Sequence, residues 1–129
     1  IINGHVEHSV LSPGVYVEEG AVVRDSIIFD DCKIESGAIV ERSIVDKETI
    51  VGKNAYVGYG DDWTLNHERP DIVNCGITII GKRARIEPYV RVGRNVVIGP
   101  NVIAEGVQDG TIPSGTTIRS PEKHFPYTV

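Results

Sequence analysis

A chain of 129 residues with 40% apolar and 24% charged side chains has the size and composition of a single globular domain. Its formal net charge of −5 and pI near 5.3 count against a general nucleic-acid binder, which needs a basic surface. No run of 18 apolar residues and no signal peptide occur, and the two cysteines sit in unlike settings, so neither a membrane span, nor a disulfide framework, nor a zinc site is expected.

From the N-terminus the text repeats. Val6-Glu7-His8-Ser9-Val10-Leu11 returns as Val23-Arg24-Asp25-Ser26-Ile27-Ile28 and as Val40-Glu41-Arg42-Ser43-Ile44-Val45, and Val57 follows on the same spacing. A fixed step of this size marks a solenoid, in which one repeat cannot bury its own apolar side. Within each repeat runs a beat of five or six residues, with apolar anchors at Val6, Leu11 and Val17, then Val23, Ile28 and Ile34, then Val40, Val45 and Val51. Small or short residues stand two before most anchors: Ser9, Val15, Ala21, Ser26, Cys32, Ala38, Ser43, Thr49 and Ala55. Alternate side chains of a strand share a face, so small residue and anchor both point inward. Pro13-Gly14, Glu19-Gly20, Ser36-Gly37 and Lys53-Asn54 then turn the chain. The predicted fold is all-β: a parallel β-helix of hexapeptide-repeat type, three short strands to a coil. Cys32 fills an inward slot as a packed free thiol, which fits a reducing, cytoplasmic setting.

The beat stops after Val57 and returns at Thr78 and Ile80. The span 58–76 is an inserted loop with the lone Trp63 and the polar stretch Asn66-His67-Glu68-Arg69-Pro70-Asp71. The beat then runs Ala84/Ile86, Val90/Val92, Val96/Ile98 and Val102/Ala104, is interrupted at Asp109-Gly110-Thr111, and ends with Thr116/Ile118. This gives about six coils in one domain over 1–118, then an irregular tail over 119–129. The chain opens at Ile1 in mid-repeat, and a solenoid end needs a cap, so a covalently attached upstream segment is expected.

Three surface features carry functional expectations. The outward residues Val10, Ile27 and Ile44 should form one column and Val22, Ile39 and Tyr56 another, a docking face for a domain or subunit. Lys82, Arg83, Arg85, Arg91 and Arg94 form a basic run in an acidic chain, a candidate phosphate or effector site because Arg forks suit phosphate oxygens. His67 lies on the long loop beside Glu68, where a general base of a hexapeptide acyltransferase would be sought. His5, His8 and His67 lack a spacing that gathers three imidazoles on zinc, so no metal site is expected. No Gly-rich phosphate loop between a strand and a helix is present.

Ser9-Val10-Leu11-Ser12-Pro13-Gly14-Val15, Gly20-Ala21-Val22-Val23, Asp25-Ser26-Ile27-Ile28 and Ile44-Val45-Asp46-Lys47 together resemble the C-terminal β-helix of the glucose-1-phosphate adenylyltransferases. The resemblance is specific over about residues 1–60; the long insertion also looks like that family's, and the rest reads as general hexapeptide repeat. It implies a left-handed coil. It implies a whole enzyme that makes ADP-glucose and pyrophosphate from ATP and glucose 1-phosphate with Mg²⁺, in glycogen or starch synthesis. The β-helix there packs on the N-terminal catalytic domain, helps to assemble a tetramer and takes part in the response to sugar-phosphate effectors. That catalytic domain is absent from these residues, so no catalytic residue is assigned and no cofactor is expected in this segment. A β-helix of another sugar-1-phosphate nucleotidyltransferase, or a trimeric acyltransferase using His67, are the alternatives.

Overall fold

The structure, a computed structural model, describes residues 1–106 and 109–119. The expected tail, Arg119 apart, and His124 within it lie outside the described residues.

Seventeen strands of two or three residues are described, with no helix among the described residues. All described strand pairs are parallel and build three sheets. The first face stacks His5–Glu7, Val22–Arg24, Ile39–Glu41, Tyr56–Val57, Arg91–Val92 and Thr111–Ile112. The second stacks Val10–Leu11, Ile27–Ile28, Ser43–Val45, Thr78–Ile80, Val97–Ile98 and Thr117–Ile118. The third stacks Tyr16–Val17, Lys33–Ile34, Ile50–Val51, Arg85–Ile86 and Ile103–Ala104, with Ile2 bridging to Val17. This is the parallel β-helix that the beat predicts, six coils high on two of its faces.

The seventeen-residue step holds at first: Val6 pairs with Val23, Val23 with Val40, and Val40 with Val57. Val57 next pairs with Val92, because the loop intervenes. Later steps lengthen, from Ile80 to Ile98 and from Val92 to Ile112. Thr111 therefore does not interrupt the stack; it opens a strand paired with Arg91, and the extra residues fall in the sequence between Ala104 and Thr111.

Sterics explain why the chain turns where it does. One corner stacks Gly14, Asp31, Glu48, Arg83 and Asn101, all in the left-handed region with φ between 57 and 81°. Each later member donates its N–H to the coil before it, Asp31 to Pro13 and Glu48 to Asp30 for example. Gly14 takes this conformation without strain and short polar side chains such as Asp31 and Asn101 tolerate it, and a turn at each corner closes the triangle. The interior is a continuous column in which Val23, Val40, Val57, Ile28, Val45, Ile80, Ile34, Val51 and Ile86 are fully buried. Main-chain groups are satisfied from coil to coil.

Small inward residues add a second ladder. The Ser26 N–H donates to Ser9 Oγ (3.1 Å) and the Ser43 N–H to Ser26 Oγ (3.2 Å). Thr78 continues the column opposite Ser43, and its hydroxyl donates to the Gly93 carbonyl. The hydroxyls of Ser9, Ser26 and Thr78 each accept a main-chain N–H of the next coil beside a corner, while the Ser43 hydroxyl donates to the Glu41 carbonyl.

Candidate functional site

The three faces differ in what they show to solvent, and the difference follows from the stacked register. On the second face the outward column is Val10, Ile27, Ile44, Ile79 and Val97, ending at Thr117. Every member of the first five coils is aliphatic. Val10 is 61% and Ile27 39% exposed, and the others are half-buried by their own neighbours. At about 4.8 Å per coil the ladder is about 19 Å long. Phe29, 37% exposed, widens it.

On the first face the expected column of Val22, Ile39 and Tyr56 is present, but His5 precedes it and Arg91 and Thr111 follow it. Tyr56 is not an open apolar contact. Its hydroxyl donates to the Glu41 carboxylate, which Arg24 also holds at 3.1 Å. Burial, and then the hydrogen bond to Glu41, push the Tyr56 phenol above its ordinary pKa. Tyr59 meets Tyr56 edge-on at 5.3 Å, and the Arg91 guanidinium lies 5.1 Å over the Tyr59 ring. The third face interleaves apolar and basic residues: Tyr16, Lys33, Ile50, Arg85, Ile103. Lys33 pairs with Glu18 and Arg85 with Glu87, as on a solvated face. The second face alone offers an unbroken apolar surface.

The basic run is not gathered into one site. Lys82 and Arg83 occupy a corner, and Arg83 is engaged by Glu48 (3.4 Å) and Asn101. Arg85 is on the third face and Arg91 on the first, against Asp109. Arg94 is drawn under the long loop, where its Nε donates to the Gly60 carbonyl and its guanidinium lies 4.7 Å from the Trp63 ring centroid. The reason is geometric: residues six apart are separated by a corner, so neighbours in sequence look in different directions.

The loop 58–76 is docked on the stack. Asn66, almost fully buried, donates to the Asn95 carbonyl and to Thr117 Oγ1, both at 3.0 Å, and accepts from the Glu68 and Arg69 N–H groups. Asn95, also buried, accepts from the Gly76 N–H at 2.8 Å and donates to the Trp63 and Thr64 carbonyls. His67 is exposed and its N–H donates to the Gly115 carbonyl; Glu68 forms a two-pronged pair with Arg119. This fastening of the loop by two buried Asn side chains was not foreseen from the sequence. Its signal was an Asn standing where the outer repeats carry a His, an Asp or an Arg.

Among the described residues no group of three or more His, Cys, Asp or Glu could hold a metal ion. No described helix is long and apolar enough to cross a membrane. Cys32 is buried and its thiol donates to the Asp46 carbonyl; Cys75 is exposed. Desolvation, before any other cause, pushes the Cys32 thiol from its ordinary 9.0 up to about 11. Alkylation at pH 8 is expected to label Cys75 and to spare Cys32 until the chain unfolds, read by mass spectrometry. The protonated thiol is the form that folding favours. Its contribution to stability is whole below pH 9 and is lost as pH rises to about 11.

A triangular stack with a serine ladder, left-handed corner residues and one docked loop defines a hexapeptide-repeat β-helix domain. Residues 1–80 match the family described as GlmU-like, C-terminal hexapeptide, and the chain belongs to that family. It is similar to the glucose-1-phosphate adenylyltransferase of Thermomicrobium roseum, with 50% identity over 95 residues, covering 74% of this chain and 22% of that protein. It is also similar to those of Acetivibrio thermocellus, 37% identical over 118 residues (92% of this chain, 28% of that one), and Pseudothermotoga lettingae, 37% identical over 121 residues (94% and 29%). The chain thus spans less than a third of the length of these relatives. A solved GDP-perosamine N-acetyltransferase from Caulobacter crescentus aligns with 88% of this chain and 51% of its own at 20% identity and a TM-score of 0.37, too loose a likeness to bear on function.

Proposed function

We propose that this chain is the β-helix part of a cytoplasmic glucose-1-phosphate adenylyltransferase, the Mg²⁺-dependent enzyme that forms ADP-glucose and pyrophosphate from ATP and glucose 1-phosphate for glycogen or starch synthesis. In this reading the segment performs no chemistry. It docks the catalytic part of its own chain and sister subunits of a tetramer, and it takes part in the response to a sugar-phosphate effector. Lys82, Arg83, Arg85, Arg91 and Arg94 are the candidates for the effector's phosphate, which would be met by some of them and not by all five together, since they look in different directions.

The observation that carries the reading is the aliphatic ladder Val10–Ile27–Ile44–Ile79–Val97, outward-facing along the second face, exposed at Val10 and Ile27 and half-buried beyond, in a segment whose relatives are several times longer. A free-standing soluble domain gains nothing by turning five stacked aliphatic side chains outward, whereas a docking face does.

The test has two arms. The chain alone is expected to make no ADP-glucose from ATP and glucose 1-phosphate; measurable synthesis would refute the reading. In a full-length enzyme carrying this segment, Ile27→Glu with Ile44→Glu is expected to yield a smaller species in sedimentation and a blunted effector response. An unchanged tetramer with an unchanged response sinks the docking role.

A further inference from the structure

Coils of a solenoid touch only their neighbours, so each end is held by one interface and frays independently of what lies two coils away. The hydrogen bonds described between coils obey this rule, except those made by the loop 58–76. The loop leaves the stack after Tyr56–Val57 and re-enters at Thr78–Ile80, in the fourth coil. Its Trp63 lies against Arg42 of the third coil (5.7 Å from the ring centroid) and Arg94 of the fifth (4.7 Å). Its Asn66 joins Asn95 of the fifth coil to Thr117 of the sixth. His67 bonds Gly115, and Glu68 bonds Arg119, both beyond the fifth coil.

We infer that this loop is a built-in strap that ties the last coils to the middle of the stack, so that release of the loop and fraying of the C-terminal end are one event. The local chemistry fits a fastening that holds or lets go as a unit. Both Asn side chains use donor and acceptor ends together, between partners that no neighbouring coil supplies. Removing the Asn66 amide leaves the buried Asn95 carbonyl without that donor, and removing the Asn95 amide leaves the buried Gly76 N–H without its acceptor. Gly76 sits hard against the Trp63 ring, so the end of the loop is fitted to the same fastening. The coil step also changes here, from the regular seventeen to longer intervals, so the later coils cannot take their register from sequence period alone.

The test is native-state hydrogen exchange on the whole chain with Asn66→Ala. The Val97 and Gly99 amides, which donate to the Thr116 and Ile118 carbonyls of the last coil, report on the far end. The Val22 and Ile39 amides report on the early coils. With the strap weakened, Val97 and Gly99 are expected to exchange at least about tenfold faster, the scale of one lost buried hydrogen bond. They should change together with the loop amides of Asn66 and Val73, while Val22 and Ile39 keep their rates. The inference is overturned if the loop amides speed up and Val97 and Gly99 do not, or if all coils lose protection equally. Should Asn66→Ala fail to fold, Trp63→Leu is read by the same amides against the same two outcomes.

Discussion

Replacing Ile80 by Ala is expected to lower the unfolding free energy by about 2–5 kcal/mol, the range for truncating a buried Ile in a packed core. Ile80 is fully buried, and it pairs above and below with Val45 and Ile98. It is the first anchor after the loop, so it joins the regular coils to the longer ones. A void there cannot be filled by collapse, because the coil spacing is fixed by main-chain hydrogen bonds on either side. The neighbouring residue supplies the control. Ile79 belongs to the same strand and has the same chemistry, but it points outward in the ladder. Ile79→Ala is expected to cost less than about 1 kcal/mol in the isolated chain. Urea unfolding of both variants checks the pair: equal losses would mean that the inward and outward assignments of this strand are wrong. A small loss for Ile79 would show that its aliphatic side chain adds little to the fold of the isolated chain.

Much of this architecture was legible because the inward positions repeat in step with the coil. Val23, Val40 and Val57, and Ser9, Ser26 and Ser43, could be stacked on paper, and they stack in the structure. The ladder was read only as far as Ile44, because the loop hides the continuation to Ile79 and Val97 from any fixed period. The break expected at Asp109-Gly110-Thr111 does not end the stack, since Thr111 and Ile112 pair with Arg91 and Val92 after a longer step. Nor could Asn66 and Asn95 be matched in advance. They stand 29 residues apart, and an amide's partners are set by three-dimensional approach, not by pattern. The basic run shows the converse. Proximity in sequence placed five cations together, and corners between strands sent them to different sides.

Gly58→Ala is expected to be the most damaging single methyl addition at the base of the loop, with a loss of more than about 3 kcal/mol. Two costs add. Gly58 lies at φ 88°, where an L side chain is strained by about 1–2 kcal/mol. A Cβ there would also press into the Glu41 carbonyl oxygen, a main-chain atom that cannot rotate aside. Glu41 in turn holds the Tyr56 hydroxyl and Arg24, so yielding at that carbonyl disturbs the polar cluster on the first face. Gly60 separates the two costs. Its φ of 84° is nearly the same, but nothing lies within 4 Å of its would-be Cβ. Gly60→Ala therefore carries only the backbone strain, about 1–2 kcal/mol. Thermal unfolding of the two variants side by side measures the difference. A Gly58 variant no worse than its Gly60 counterpart would show that the chain leaves the stack at Val57 by another path, and the strap would then begin from a different coil geometry.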